Sequence, residues 1–249
     1  MRWPRLTAAL AGVVAAAGQA PLGLWWLSFL GLAAIFYLYS RTDTARAAAW
    51  LGWCAGTGYF VASLFWIVEP FLVDAKRNGW LAPFALIALT GGLALLWGAA
   101  SWLAFRLKAG VLGFAALWAG AEALRAVLFT GFPWGLIGYG WLDSPVAQLG
   151  AFIGPHGLTL LMLFAAALPA AWSLRNGTLA AIGLIGLCWA AGVVLISPVQ
   201  LTDKIVRLVQ PNAAQEEKWD PEMVPVFLER QLALTAAQSE VRPDLVIWP

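Results

Sequence analysis

Charge is what this sequence has least of. Lys, Arg, Asp and Glu together make up 11% of its 249 residues, against about 25% in a soluble domain. That scarcity excludes an ordinary cytosolic enzyme and a disordered chain. Histidine is almost missing: His156 is the only one, so a His-based metal site or a Ser-His-Asp triad has little to be built from. The two cysteines, Cys54 and Cys188, each lie inside an apolar run. Two are too few for a disulfide scaffold, and thiols in apolar surroundings are poor nucleophiles. Both read as small packing residues. There is no Gly-rich phosphate loop, no metal-ligand spacing and no convincing internal repeat. A formal net charge of +2 points to no nucleic-acid partner.

What is abundant is apolar and aromatic. Hydrophobic residues make up 61% and tryptophan numbers sixteen. Trp favours the membrane–water boundary, where an apolar ring and a polar N–H are both satisfied. Charge is also unevenly spread. Residues 1–202 carry ten Lys/Arg and five Asp/Glu, whereas 203–249 carry five and eight. A membrane part followed by a water-facing part gives this distribution, with domains at 1–200 and 201–249. A helix needs about 20 apolar residues to cross the roughly 30 Å bilayer core. The charge-poor stretches predict helices near 6–20, 22–39, 46–67, 81–106, 110–129, 150–173 and 178–197, about seven spans. Arg2, Arg5 and the apolar run up to Gly18-Gln19-Ala20 also resemble a cleavable signal peptide, but six further spans favour a retained helix. With the N-terminus inside, the inner segments hold Arg2, Arg5, Arg41, Arg46, Arg106, Lys108 and Arg175. The outer ones before residue 203 hold Lys76, Arg77 and Arg125. Seven against three places the N-terminus inside and residues 198–249 outside.

Polar residues within the apolar part are the natural functional candidates. Glu122 and Arg125 are three apart, on one helix face, and can pair. They are followed by Thr130-Gly131-Phe132-Pro133-Trp134-Gly135-Leu136-Ile137-Gly138-Tyr139, too rich in Gly and Pro for a helix interior. This segment predicts a re-entrant or interfacial loop whose irregular backbone must be covered by protein or touch water. His156, in Gly154-Pro155-His156-Gly157, reads as an interfacial residue at a helix start.

The tail changes register. Lys204 to Gln210 alternates apolar and polar residues and predicts a strand. Asp220-Pro221-Glu222 opens a helix, with Asp220 as N-cap and Pro221 at the first position, running to about Ser239. Leu245-Val246-Ile247-Trp248 is a second short strand. Strand, helix, strand is the opening of an α/β domain. Its 47 residues are too few to bury a core alone, so the chain is expected to be a fragment, truncated inside that domain.

These pieces together resemble bacterial apolipoprotein N-acyltransferase. The matching residues are Glu122-Ala123-Leu124-Arg125 with Gly131-Phe132-Pro133-Trp134 and Gly138-Tyr139. Val209-Gln210-Pro211-Asn212 with Gln215 and Lys218-Trp219 follows, then Val246-Ile247-Trp248-Pro249. The resemblance implies a polytopic α-helical membrane bundle followed by a nitrilase-like α-β-β-α sandwich on the periplasmic side of the bacterial inner membrane. It implies transfer of an acyl chain from a phospholipid donor, through a Cys thioester, to the N-terminal diacylglyceryl-cysteine of an apolipoprotein. It implies a Glu-Lys-Cys triad, no cofactor, and a monomer. In that chemistry Glu is general base, Cys the nucleophile, and Lys steadies the oxyanion. The triad is expected beyond Pro249, so no catalytic residue falls within this chain and the fragment is expected to be inactive. Trp219 corresponds to a family Trp near the active site, with Gln215 a weaker candidate. Glu122, Arg125, Trp134 and Tyr139 correspond to the membrane motif, where they shape a lipid portal or dock the soluble domain. A polytopic transporter, or a non-catalytic lipid-binding membrane protein, is the competing reading.

Overall fold

The computed structural model describes residues 4–128, 131–214, 217–218 and 220–249. Two compact units are present. The larger comprises Met1–Val68 with Leu81–Ile196, the smaller Glu69–Trp80 with Ser197–Pro249.

The larger unit is a helical bundle. Among the described residues it holds seven helices of thirteen residues or more: α1 Pro4–Ala16, α2 Trp25–Tyr39, α3 Ala45–Ser63, α4 Ala82–Arg106, α5 Gly110–Val127, α6 Gly150–Ala171 and α7 Leu174–Leu195. Each lies where the charge-poor stretches predict one. Four helices are long and apolar enough to cross a membrane: Ala75–Arg106, Gly110–Val127, Pro145–Ala171 and Leu174–Leu195. They are five if α3 and its bent continuation Phe65–Leu72 count as one span. α1 and α2 are apolar but shorter. At 1.5 Å per residue each rises about 20 Å, less than the roughly 30 Å hydrocarbon core. The chain is therefore a helical membrane protein with four to five segments of full spanning length.

Packing between helices relies on small residues that let backbones approach, as expected where lipid supplies no hydrophobic drive between helices. Gly12 of α1 lies against Ala55 of α3, and Gly58 of α3 against Ala9 of α1. Hydroxyls and indoles cross the remaining contacts. Ser28 Oγ of α2 donates to the Ala15 carbonyl. Ser101 Oγ of α4 donates to the Ala48 carbonyl at 2.8 Å, and Trp53 Nε1 donates to the Gly91 carbonyl at 3.0 Å. An aromatic column forms the centre. Trp97 of α4 meets Trp118 of α5 edge-on at 4.4 Å between ring centroids. Trp118 stacks on Phe114, which stacks on Tyr39 of α2.

Short connections leave consecutive helices antiparallel, so the bundle has two chemically different ends. One carries the turns after α2, α4 and α6, with Arg41, Arg46, Arg106, Lys108 and Arg175. The other carries the long segment 131–149, which is not α-helical and forms 3-10 turns at Ile137–Trp141 and Pro145–Leu149. We refer to these as the basic end and the loop end.

The smaller unit contains β1 Val206–Leu208, α8 Met223–Ala236 and β2 Leu245–Ile247. The strands pair in parallel, Val206 opposite Leu245 and Leu208 opposite Ile247, with the helix as crossover. Arg207 Nη1 donates to the Thr235 carbonyl at 2.6 Å and Trp248 Nε1 to Thr235 Oγ1 at 2.8 Å, tying both strands to the end of α8. That helix begins two residues later than Asp220 and Pro221 predict. Asp220 Oδ1 instead accepts from the Glu222 amide at 3.0 Å, a side-chain turn that competes with capping.

Candidate functional site

The site grows from the last turn of α5. Glu122 and Arg125, one turn apart, both point inward and are fully buried, at 0% and 1% exposure. A charged pair at that depth persists only if its hydrogen bonds are complete, and here they are. Arg125 Nη2 meets Glu122 Oε2 at 2.7 Å, and Arg125 Nε donates to Glu122 Oε1 at 3.2 Å. Trp97 Nε1 donates to Glu122 Oε1 at 2.7 Å. The guanidinium also lies 5.1 Å from the centre of the Phe60 ring, a cation–π contact.

The remaining face of Arg125 reaches into the loop that follows. Its Nη1 donates to the carbonyls of Phe132, at 2.6 Å, and Trp134, at 2.8 Å. Its own carbonyl accepts the Phe132 amide at 3.1 Å. Two further side chains continue this hold. Gln19, just past α1, donates through Nε2 to the Leu136 carbonyl at 3.0 Å and to the Tyr59 hydroxyl at 2.8 Å. Thr159 of α6 accepts the Gly138 amide at 3.0 Å while donating to the Pro155 carbonyl at 2.9 Å. Residues 132, 134, 136 and 138 are thus held by side chains from three parts of the bundle. This is how irregular backbone is satisfied at membrane depth.

Two glycines are required by that path. Gly131 turns the chain with φ +79°, a conformation that side chains rarely adopt. At Gly138 a Cβ would lie 2.6 Å from the Pro155 carbonyl and 2.7 Å from the Thr159 amide, so only glycine allows the loop to sit on α6. That helix is itself broken at Gly154, φ +65°, and restarts at Pro155.

The predicted residues therefore separate. Glu122 and Arg125 are joined to each other and to the loop, and their polar capacity is used internally. Trp134 has its carbonyl held by Arg125 while its indole is 56% exposed, meeting Trp66 edge-on at 6.0 Å. Tyr139 is half-buried in the 3-10 turn. Trp219 and Gln215 lie outside the described residues. His156 follows the break in α6, and its buried Nδ1 has no partner among the described residues. No group of three His, Cys, Asp or Glu that would hold a metal occurs among the described residues.

Sequence reading alone misses Trp97, Gln19 and Thr159. Their partners are 25, 117 and 21 positions away. The available signal is polarity: Gln19 and Thr159 are hydrogen-bonding residues in otherwise apolar stretches, and such residues in a membrane bundle find partners.

Comparison with known proteins follows this geometry. Residues 11–168, which include α2 to α5 and the held loop, match the apolipoprotein N-acyltransferase N-terminal domain. A protein of Caulobacter vibrioides named apolipoprotein N-acyltransferase is 38% identical over 257 residues, covering 97% of this chain and 48% of its own length. A like-named protein of Allorhizobium ampelinum is 34% identical over 271 residues, covering 99% and 51%. One of Chromobacterium violaceum is 37% identical over 258 residues, covering 97% and 49%. The chain spans about half the length of the curated relatives it matches.

Proposed function

Because the chain belongs to the apolipoprotein N-acyltransferase family, we propose that it supplies the membrane half of an enzyme that N-acylates lipoproteins. The donor is a phospholipid and the acceptor the α-amine of a diacylglyceryl-cysteine. In the first step a Cys thiolate attacks the phospholipid ester; a C–S bond forms, the C–O bond breaks, and the lysophospholipid leaves with a proton. In the second the amine attacks the thioester; a C–N bond forms, the C–S bond breaks, and the thiol is regenerated. A thiolate serves both steps, as nucleophile and as leaving group.

Within this scheme the enzyme sits in the bacterial inner membrane with the loop end toward the periplasm, and the bundle counts seven spans with α1 and α2 included. The βαβ unit opens the nitrilase-like domain, where Trp219 and Gln215 contact substrate. Glu122 and Arg125 act as positioning residues: Arg125 holds the backbone at 132 and 134, Glu122 holds Arg125, and neither touches substrate. The exposed Trp134 and Trp66 indoles meet the acyl chain, with the half-buried Tyr139 lining the same portal. The observation that carries this reading is the held loop, an irregular segment fixed by buried side chains with an aromatic pair left open.

A chimera tests it. Residues 1–200 of this chain replace the matching half of the Caulobacter vibrioides relative, and the mass of a lipoprotein N-terminal peptide is followed in proteoliposomes. Gain of one acyl chain is expected. A chimera that inserts and keeps the parent's thermal transition, yet leaves the peptide diacylated, refutes the reading.

A further inference from the structure

At the basic end, the surface where α3 meets α4 forms a groove of about 570 Å³ lined by Arg46, Ala49, Trp50, Trp53, Leu95, Gly98, Ala99 and Trp102. That volume lies in the usual range of small-ligand sites. The floor is made of small residues, Ala49, Gly98 and Ala99, and the walls of three indoles. Along α3 it runs from Arg46 to Trp53, about 10 Å at 1.5 Å per residue. That is roughly the outer two thirds of one leaflet's hydrocarbon, given a core of about 30 Å.

Guanidinium groups border the mouth of the groove. Arg46 stands at the start of α3. Arg106, one turn beyond Trp102, lies over the Trp102 ring at 5.7 Å, and Arg5 lies over the Trp50 ring at 4.9 Å. Trp50 is shared with a second cavity of about 610 Å³, lined among others by Arg5, Arg41, Thr42 and Thr44, with Asp43 as its only carboxylate. Among the described residues none of Arg5, Arg41, Arg46 and Arg106 has a carboxylate within ion-pair distance. An apolar groove, opening at several guanidiniums without a carboxylate partner, has the chemistry of one lipid class.

We propose that this groove binds one anionic phospholipid of the leaflet at the basic end, its phosphate between Arg46 and Arg106 and one acyl chain against Trp50, Trp53 and Trp102. The guanidinium fork suits a phosphate, and juxtamembrane cations gain from an anionic headgroup. Neither the positive-inside distribution nor a Trp belt by itself calls for a slot between two helices. This site lies at the opposite end of the bundle from the held loop and stands whether or not the proposed acyl transfer is correct.

The test is native mass spectrometry of the full chain in mild detergent, titrated with phosphatidylglycerol or phosphatidylcholine of identical acyl chains. Wild type is expected to retain one phosphatidylglycerol through activation and to prefer it by roughly 30-fold, the scale of two membrane-surface cations. Arg46→Gln with Arg106→Gln abolishes the preference. Ala99→Trp, which fills the groove and leaves every charge in place, abolishes retention of the single lipid. Glycerol 3-phosphate, a headgroup without chains, does not displace it. Equal retention of the two lipids by wild type, an unchanged preference in the double variant, unchanged retention in Ala99→Trp, or displacement by glycerol 3-phosphate would each overturn the proposal. All three exchanged side chains are exposed, so the variants keep the bundle core.

Discussion

Replacing Arg125 by methionine removes the centre of the loop clamp while keeping most of its volume. Four hydrogen bonds disappear, two to Glu122 and two to the carbonyls of Phe132 and Trp134. Glu122 is then a buried carboxylate with Trp97 as its one remaining donor among the described residues. Breaking a buried ion pair from one side costs about 3–5 kcal/mol, chiefly because a charge is left uncompensated. The two orphaned carbonyls place Arg125→Met at the upper part of that range. A folded domain has only about 5–15 kcal/mol to lose. Glu122→Gln is expected to cost less, about 1–3 kcal/mol, because its amide oxygen still accepts from Trp97 and no bare charge remains. The double variant is the decisive case. Once Glu122 is neutral, losing Arg125 strands no charge, so the combined cost falls short of the sum by about 1–3 kcal/mol. Unfolding in urea with detergent present, followed by near-ultraviolet circular dichroism, measures all three. Additive costs, or an Arg125→Met loss below about 1 kcal/mol, would refute the clamp as the element that holds the loop.

Gly138→Ala introduces a methyl into the contact with α6 and is expected to cost about 1–3 kcal/mol in the same assay, with faster protease cutting between residues 131 and 141. Gln19→Leu removes what is, among the described residues, the only side-chain donor to the Leu136 carbonyl and is expected to cost about 1–3 kcal/mol; a stability equal to wild type would remove Gln19 from the loop's support. In the chimera, Trp134→Ala should slow N-acylation at least about tenfold with an unchanged thermal transition, since the indole is exposed and its loss is a binding effect of the size seen for anchoring aromatics. Cys54→Ala and Cys188→Ala should leave that rate within about twofold, because both thiols sit within helices that pack in the bundle and act there as small apolar side chains; an inactive but folded Cys188→Ala variant would contradict this.

The helices were legible because hydrophobic run length reports them directly, but their ends answer to other forces. Residues 178–197 predict the last long helix, and α7 starts at Leu174, because Ser173 caps it by accepting from the Asn176 amide. Arg175, a charge that interrupts the apolar run, is simply its first turn. At the other extreme, residues 6–20 predict a helix that stops at Ala16, since Gln19 leaves the helix to reach Tyr59 and Leu136. The Glu122–Arg125 pair was readable from its spacing of three. That it grips the loop was not, because carbonyls of Phe132 and Trp134 carry no mark in the sequence. Two of the predicted substrate contacts, Trp219 and Gln215, rested on resemblance alone and fall outside the described residues.

One physical rule separates the two ends of the bundle. In hydrocarbon a polar group must find a partner within the protein. At the loop end the partners were backbone groups that a helix would have satisfied for itself. Arg125, Gln19 and Thr159 replace those lost helical bonds, Glu122 holds Arg125 in place, and their burial follows from that task. At the basic end the backbone turns within two to five residues and makes no such demand. Arg5, Arg46 and Arg106 therefore remain exposed, with Arg5 and Arg106 braced by ring faces. The same residue type thus has opposite meaning by location. Altering the buried Arg125 is expected to destabilise the bundle, whereas neutralising the exposed Arg46 and Arg106 is expected to leave the fold intact. A substitution scan should accordingly divide arginines into those that move the unfolding midpoint and those that move only lipid affinity, and Arg125 belongs to the first group while Arg46 and Arg106 belong to the second.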